Sequence, residues 1–203
     1  DTSANLNAPP PRFGVDPGLL DEDFPSFFPV LEGDEVYLTD GRTVMAYPLE
    51  GSAEGMAAPA PSWRAAPPPS VPTAARPAFG VERHTLTLFG NRIYARLGPF
   101  GAEFQGRNIA SAPSTAIVAL DRSRSDSPLW LKTADDVIAG PGQINGGPLV
   151  GQVAFGGAPV VDEHGVYVAL LKPGTQALTW VACLDPESGQ TRWVLFVCSG
   201  TSM

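Results

Sequence analysis

Three tryptophans, Trp63, Trp130 and Trp193, each close a segment that repeats one order of features. Each segment opens with a short apolar strand, followed by a tight turn: Gly33-Asp34, Gly90-Asn91, or Glu163-His164-Gly165. A strand with an apolar–Tyr pair comes next: Val36-Tyr37, Ile93-Tyr94, Val166-Tyr167. A third strand ends in Ala46-Tyr47-Pro48, Ala119-Leu120-Asp121 or Cys183-Leu184-Asp185, and a further turn leads to the Trp. This order predicts four short antiparallel strands per unit, a meander. A lone meander cannot bury both faces, whereas units packed face to face around an axis can.

Local signals agree with an all-β chain. No stretch places apolar residues at i, i+3, i+4 and i+7 over three turns. The best helix candidate, Thr133 to Ala139, is short and runs into Gly140-Pro141-Gly142. β-branched and aromatic runs are frequent, and the 22 Gly and 22 Pro serve mostly as punctuation between them. In "LDPESGQTRW", Pro186 fixes φ and Gly189 can take φ > 0, which closes a hairpin. The Trp-to-Trp spacings of 67 and 63 residues exceed the roughly 40–50 residues of a compact propeller blade. The excess falls in loops, Gly98 to Pro113 among them, and in the connections between units.

Residues 1–23 are polar and Pro-rich and read as an N-terminal arm; residues 24–203 read as the folded part, with units at about 24–66, 79–134 and 156–199. Residues 52–78 have the composition of a Pro-rich linker. Trp63 in their midst predicts a loop pinned by a docked side chain. Gly140 to Gly157 is a second Gly-rich connection. The chain starts at Asp1 with no initiator Met and no signal-peptide apolar region, so it is expected to be a processed product or a piece of something longer.

The units resemble the tryptophan-docking repeat of PQQ-type (quinoprotein-like) β-propellers. The best matches are "VACLDPESGQTRW" (181–193) and "IVALDRSRSDSPLW" (117–130); the first unit departs, with Pro48 in the place of the Asp and Trp63 fifteen positions after it. The resemblance covers about Phe24 to Cys198. It implies a partial β-propeller of about three four-stranded blades, in which Trp63, Trp130 and Trp193 pack between neighbouring blades and Asp121 and Asp185 tie the hairpins. Trp130 and Trp193 are thus expected to be largely buried. Propellers generally have 4–8 blades, so three imply further blades of the same protein or a protein partner.

Composition narrows the partners. A formal charge of −8 argues against binding a phosphate backbone, which needs clustered cations. Only Lys132 and Lys172 are lysines, and the remaining basic residues are Arg, which fits a GC-rich genome. No apolar run reaches the roughly 20 residues of a membrane span. Cys183 and Cys198 match no zinc spacing; they could form one disulfide, but two small buried strand residues is the favoured reading. His164 reads as a turn residue and His84 as a strand residue with no Cys or His beside it. The acidic runs Asp21-Glu22-Asp23, Asp135-Asp136 and Asp162-Glu163 lack the loop spacing of a Ca²⁺ site. The Gly-rich "NGGPLVGQVAFGG" lacks the strand–loop–helix context of a nucleotide site.

In the family, PQQ enzymes hold the quinone and Ca²⁺ with a vicinal disulfide and Glu, Asn and Asp ligands. This chain has no adjacent cysteines and no matching ligand set, and its expected axial strands, 28–31, 84–89 and 158–161, are mostly apolar. The expectation is therefore no cofactor, no catalytic or metal residues, and the non-catalytic branch: a non-enzymatic scaffold for protein–protein interaction. The resemblance further implies a bacterial, periplasmic or otherwise extracytoplasmic protein. The alternative is a fragment of a PQQ-dependent dehydrogenase whose cofactor site lies outside these residues.

Overall fold

A computed structural model describes residues 26–49, 63–65, 83–98, 115–123, 127–139, 151–172 and 176–201. The N-terminal arm, most of the Pro-rich stretch and the loop after Gly98 lie outside the described residues. After β1 (Ser26–Phe27), the chain lays down β2 (Val30–Glu32), β3 (Glu35–Thr39), β4 (Val44–Pro48) and β5 (Trp63–Ala65) as one antiparallel sheet in that order. The second unit follows β6 (Arg83–His84) with β7 (Leu86–Phe89), β8 (Arg92–Leu97), β9 (Ala116–Asp121) and β10 (Trp130–Thr133), again a meander. The third has β11 (Ala154–Phe155) and β12 (Val160–Val161) side by side along β13 (Val166–Lys172), then β14 (Gln176–Leu184) and β15 (Thr191–Thr201).

The hairpins form where backbone chemistry demands them. Gly33 and Gly90 sit at φ +60° and +59°, in the two-residue turns between β2 and β3 and between β7 and β8. Glycine takes that left-handed conformation without a Cβ penalty. One short helix, α1 (Ala134–Ile138), does form directly after β10. Thr133 caps it: its Oγ1 accepts from the Asp136 N–H, and the Asp136 carboxylate accepts from the Thr133 N–H. That reciprocal box offsets the short length. Tertiary contacts complete it, because Val137 is fully buried and its carbonyl accepts from Thr191 Oγ1 at 3.1 Å.

Strand alternation places the second sheet between the other two. Ile93, Ala95 and Leu97 of β8, with Val118 and Leu120 of β9, form one core with Tyr37, Val44 and Ala46 of the first sheet. The intervening residues Tyr94, Ile117 and Ala119, with Trp130, form a second core with Val166, Val168, Leu170, Trp180, Ala182 and Leu184 of the third sheet. Period-two alternation thus buries both faces of the middle sheet. At the inner ends, β1 pairs in parallel with β6, and Thr87 Oγ1 donates to the Pro159 carbonyl. These are three consecutive blades stacked about a common side.

Candidate functional site

No catalytic constellation comes together among the described residues; the repeated arrangement that does is a seat between blades. Register defines it. One cross-strand row runs Val30, Tyr37, Ala46, Trp63 in the first blade. The same row is Thr87, Tyr94, Ala119, Trp130 in the second. In the third it is Val160, Tyr167, Cys183, Trp193. Two positions beyond the small residue stand Pro48, Asp121 and Asp185.

Trp130 shows what the row does. Its indole Nε1 donates to the Pro186 carbonyl of the third blade at 2.9 Å, and the side chain is only 7% exposed. The indole lies over Gly189, where a Cβ would come within 2.7 Å of two ring carbons. Gly189 also has φ +67°. Both the backbone conformation and the docked ring therefore exclude a side chain there.

Asp185 builds this turn. Its Oδ1 accepts from the Glu187 N–H at 3.0 Å and the Ser188 N–H at 2.9 Å, and its Oδ2 pairs with Arg192 at 2.7 Å. The Arg192 guanidinium, ahead of the Ser188 N–H, holds the Asp185 carboxyl down at about 2. Asp121 has the same task in the second blade, accepting from the Ser123 N–H at 2.8 Å and from Asn91 Nδ2 at 2.7 Å.

Two arginines add charged ties across the seats. Arg92 donates to the Pro186 carbonyl at 2.8 Å and pairs with Glu187. Arg122, directly after Asp121, pairs with Glu32 at 2.9 Å and donates to Tyr37 Oη at 3.0 Å. Its guanidinium lies 5.1 Å from the centre of the Tyr37 ring, within cation–π range. Neither arginine stood out in the sequence, because each partner lies in another repeat.

Trp193 departs from expectation. It is 42% exposed, beside Leu195 at 61% and Val160 at 69%. No further blade among the described residues covers this face. Its geometry is nonetheless that of a docked residue: the Tyr167 and Trp193 rings are 6.1 Å apart at 47°, against 6.0 Å and 52° for Tyr94 and Trp130. Trp63 holds the matching register position in β5, and its side chain lies outside the described residues.

The other candidates have structural uses. Cys183 and Cys198 are both free; Cys183 is buried, whereas Cys198, on the outermost strand, is exposed rather than buried. Burial pushes the Cys183 thiol pKa up. His164 is an exposed turn residue whose N–H donates to Asp162 Oδ1. Asp135 accepts from the Gly151 N–H at 2.8 Å, and Asp136 belongs to the helix cap. His84 lies on β6 and the 21–23 acidic run outside the described residues. Among the described residues no three His, Cys, Asp or Glu side chains come together as a metal group would need.

No protein-family model matches the chain, and no curated protein matches it in sequence. Solved structures do match. A europium-containing methanol dehydrogenase aligns with 83% of this chain at 18% identity and a TM-score of 0.52. A quinohemoprotein alcohol dehydrogenase from Comamonas testosteroni aligns with 83% of it at 16% identity and 0.51. The fold is a partial β-propeller. The chain spans only 24% and 20% of the lengths of those two proteins. These likenesses overturn one expectation: both neighbours are dehydrogenases, so the assignment of a non-enzyme is withdrawn. No helix among the described residues is long and apolar enough to cross a membrane.

Proposed function

We propose that this chain forms three consecutive blades of a larger quinoprotein-type propeller in a dehydrogenase-class protein. Its own task is architectural: it stacks its blades through Trp63 and Trp130 and offers Trp193 to a further blade. One observation carries the reading. The Tyr167–Trp193 pair repeats the geometry of Tyr94–Trp130, yet among the described residues a neighbouring blade accepts the bond of Trp130 and none covers Trp193. The two longer dehydrogenases of like fold support it. We divide the chain into an arm (1–23) and blades near 24–66, 79–134 and 156–199. An extracytoplasmic, periplasmic location goes with the reading.

The quinone and metal of such a protein would take their ligands outside the described residues. The test compares the complete protein with the 203-residue chain, each titrated with PQQ and Ca²⁺ while Trp fluorescence and dye-linked alcohol oxidation are followed. Quenching and turnover are expected in the complete protein and absent from the short chain. Saturable quenching of the short chain, reversed by a chelator, would place a cofactor site within it. Failure of the complete protein to bind the quinone would overturn the dehydrogenase assignment.

A further inference from the structure

The two filled seats are charged differently, and the open one matches only one of them. At the first seat, the leading blade presents an acid two residues beyond the inner-strand Val, Glu32 after Val30, with Tyr37 beside it. The following blade answers with Arg122, the residue directly after its capping Asp121. At the second seat the signs reverse. The leading blade has Phe89 in place of the acid and presents Arg92, and the following blade answers with the Pro186 carbonyl and Glu187.

The third blade's open face repeats the first blade. Val160 and Asp162 stand where Val30 and Glu32 stand, and Val181 stands where Val44 does. The second blade has Thr87, Phe89 and Ile117 at these positions. Its two arginines on that face, Arg92 and Arg96, correspond to Gly165 and Ala169 in the third. Tyr167 lies against the Asp162 carboxylate of its own blade, whereas Tyr37 donates to Glu35, whose place Gly165 takes in the third blade.

We propose that the partner of this open face is a blade of the second blade's type, with a β-turn that carries an arginine or lysine directly after its capping Asp. That cation pairs with Asp162 and stacks on Tyr167, while a backbone carbonyl of the same turn accepts a hydrogen bond from Trp193 Nε1. The inference rests on the docking reading above and adds the chemistry of the partner. A second copy of this chain is a poor occupant. The matching turn of its first blade begins at Pro48, which has no carboxylate to cap it and no cation after it.

The test extends the full chain at its C-terminus with a second copy of one of its own blades. One version carries residues 79–139, with the Asp121-Arg122 turn; the other carries residues 151–201, with the Asp185-Pro186 turn. With 5-fluorotryptophan incorporated, the Trp193 resonance is assigned by Trp193→Phe. Its fluorine shift difference between H₂O and D₂O reports solvent contact. The Asp–Arg copy is expected to abolish that difference, and the Asp–Pro copy to leave it. Asp162→Asn in the chain and Arg122→Gln in the copy should each restore solvent contact, and together no more than either alone. Equal protection by both copies overturns the charge rule and leaves docking standing. Continued exposure with both overturns docking as well. A discrete dimer of the unextended chain that shields Trp193 gives the face to a second copy, against the proposal.

Discussion

At the residue scale, Gly189 concentrates the constraints on the docked seat. Alanine there meets a left-handed backbone and two Trp130 ring carbons at once. Gly189→Ala should destabilise by about 2–4 kcal/mol. Gly33 shares the backbone conformation but would place a Cβ in open space, so Gly33→Ala should cost only about 1 kcal/mol. Urea melts of the two variants measure the difference, which is the steric share of docking. The tryptophans divide in the same way. Trp130→Ala should cost about 3–5 kcal/mol, as for a buried aromatic. Trp193→Ala should cost under about 2 kcal/mol, since much of its surface is already in water. Equal losses would mean that docking contributes nothing to Trp130. Asp185 supplies a pH dependence. Its folded carboxyl is depressed to about 2, first by Arg192, against an unfolded value near 4. The stability it confers is therefore present above pH ~4 and is lost as pH falls toward ~2. Melting temperatures between those limits should fall less steeply in Asp185→Asn than in wild type.

At the element scale, the hairpins and the opening strands were legible, since β2, β7 and β12 fall at the expected 28–31, 84–89 and 158–161, whereas β11 was not. Gly33, Gly90 and Gly189 announce turns because each needs φ > 0, and the β-branched runs between them leave few alternatives to strands. β11 has only two residues, too few for alternation to show. The 133–139 stretch looked too short for a helix on periodicity alone. Its stability comes from the Thr133–Asp136 box and the Val137 contact, so Thr133→Ala should cost about 1 kcal/mol. Loss of α1 amide protection in hydrogen exchange would accompany it. Cross-blade pairs left no local trace: Arg92 and Glu187, or Arg122 and Glu32, have meaning only once two repeats are in contact. The burial expected of Trp193 assumed a following blade, which the described residues do not contain.

At the scale of the whole molecule, the blades are unequal. The second is buried on both faces, while the third leaves Trp193, Leu195 and Val160 in water. Local opening should therefore be rarest in β8 and β9 and commonest at β15. Native-state amide exchange reads this directly, and a slowest-exchanging set in β15 would contradict the packing order. The Trp130 bond also has a direction. It runs from a donor on one blade to a carbonyl on the next, and among the described residues the third blade returns no such bond to the second. Such contacts are heterologous, head to tail, and never self-complementary. A two-fold axis cannot satisfy them, because it would set donor against donor. An open row of these blades carries one unspent donor on its last blade, and rotation through a closed circle consumes it.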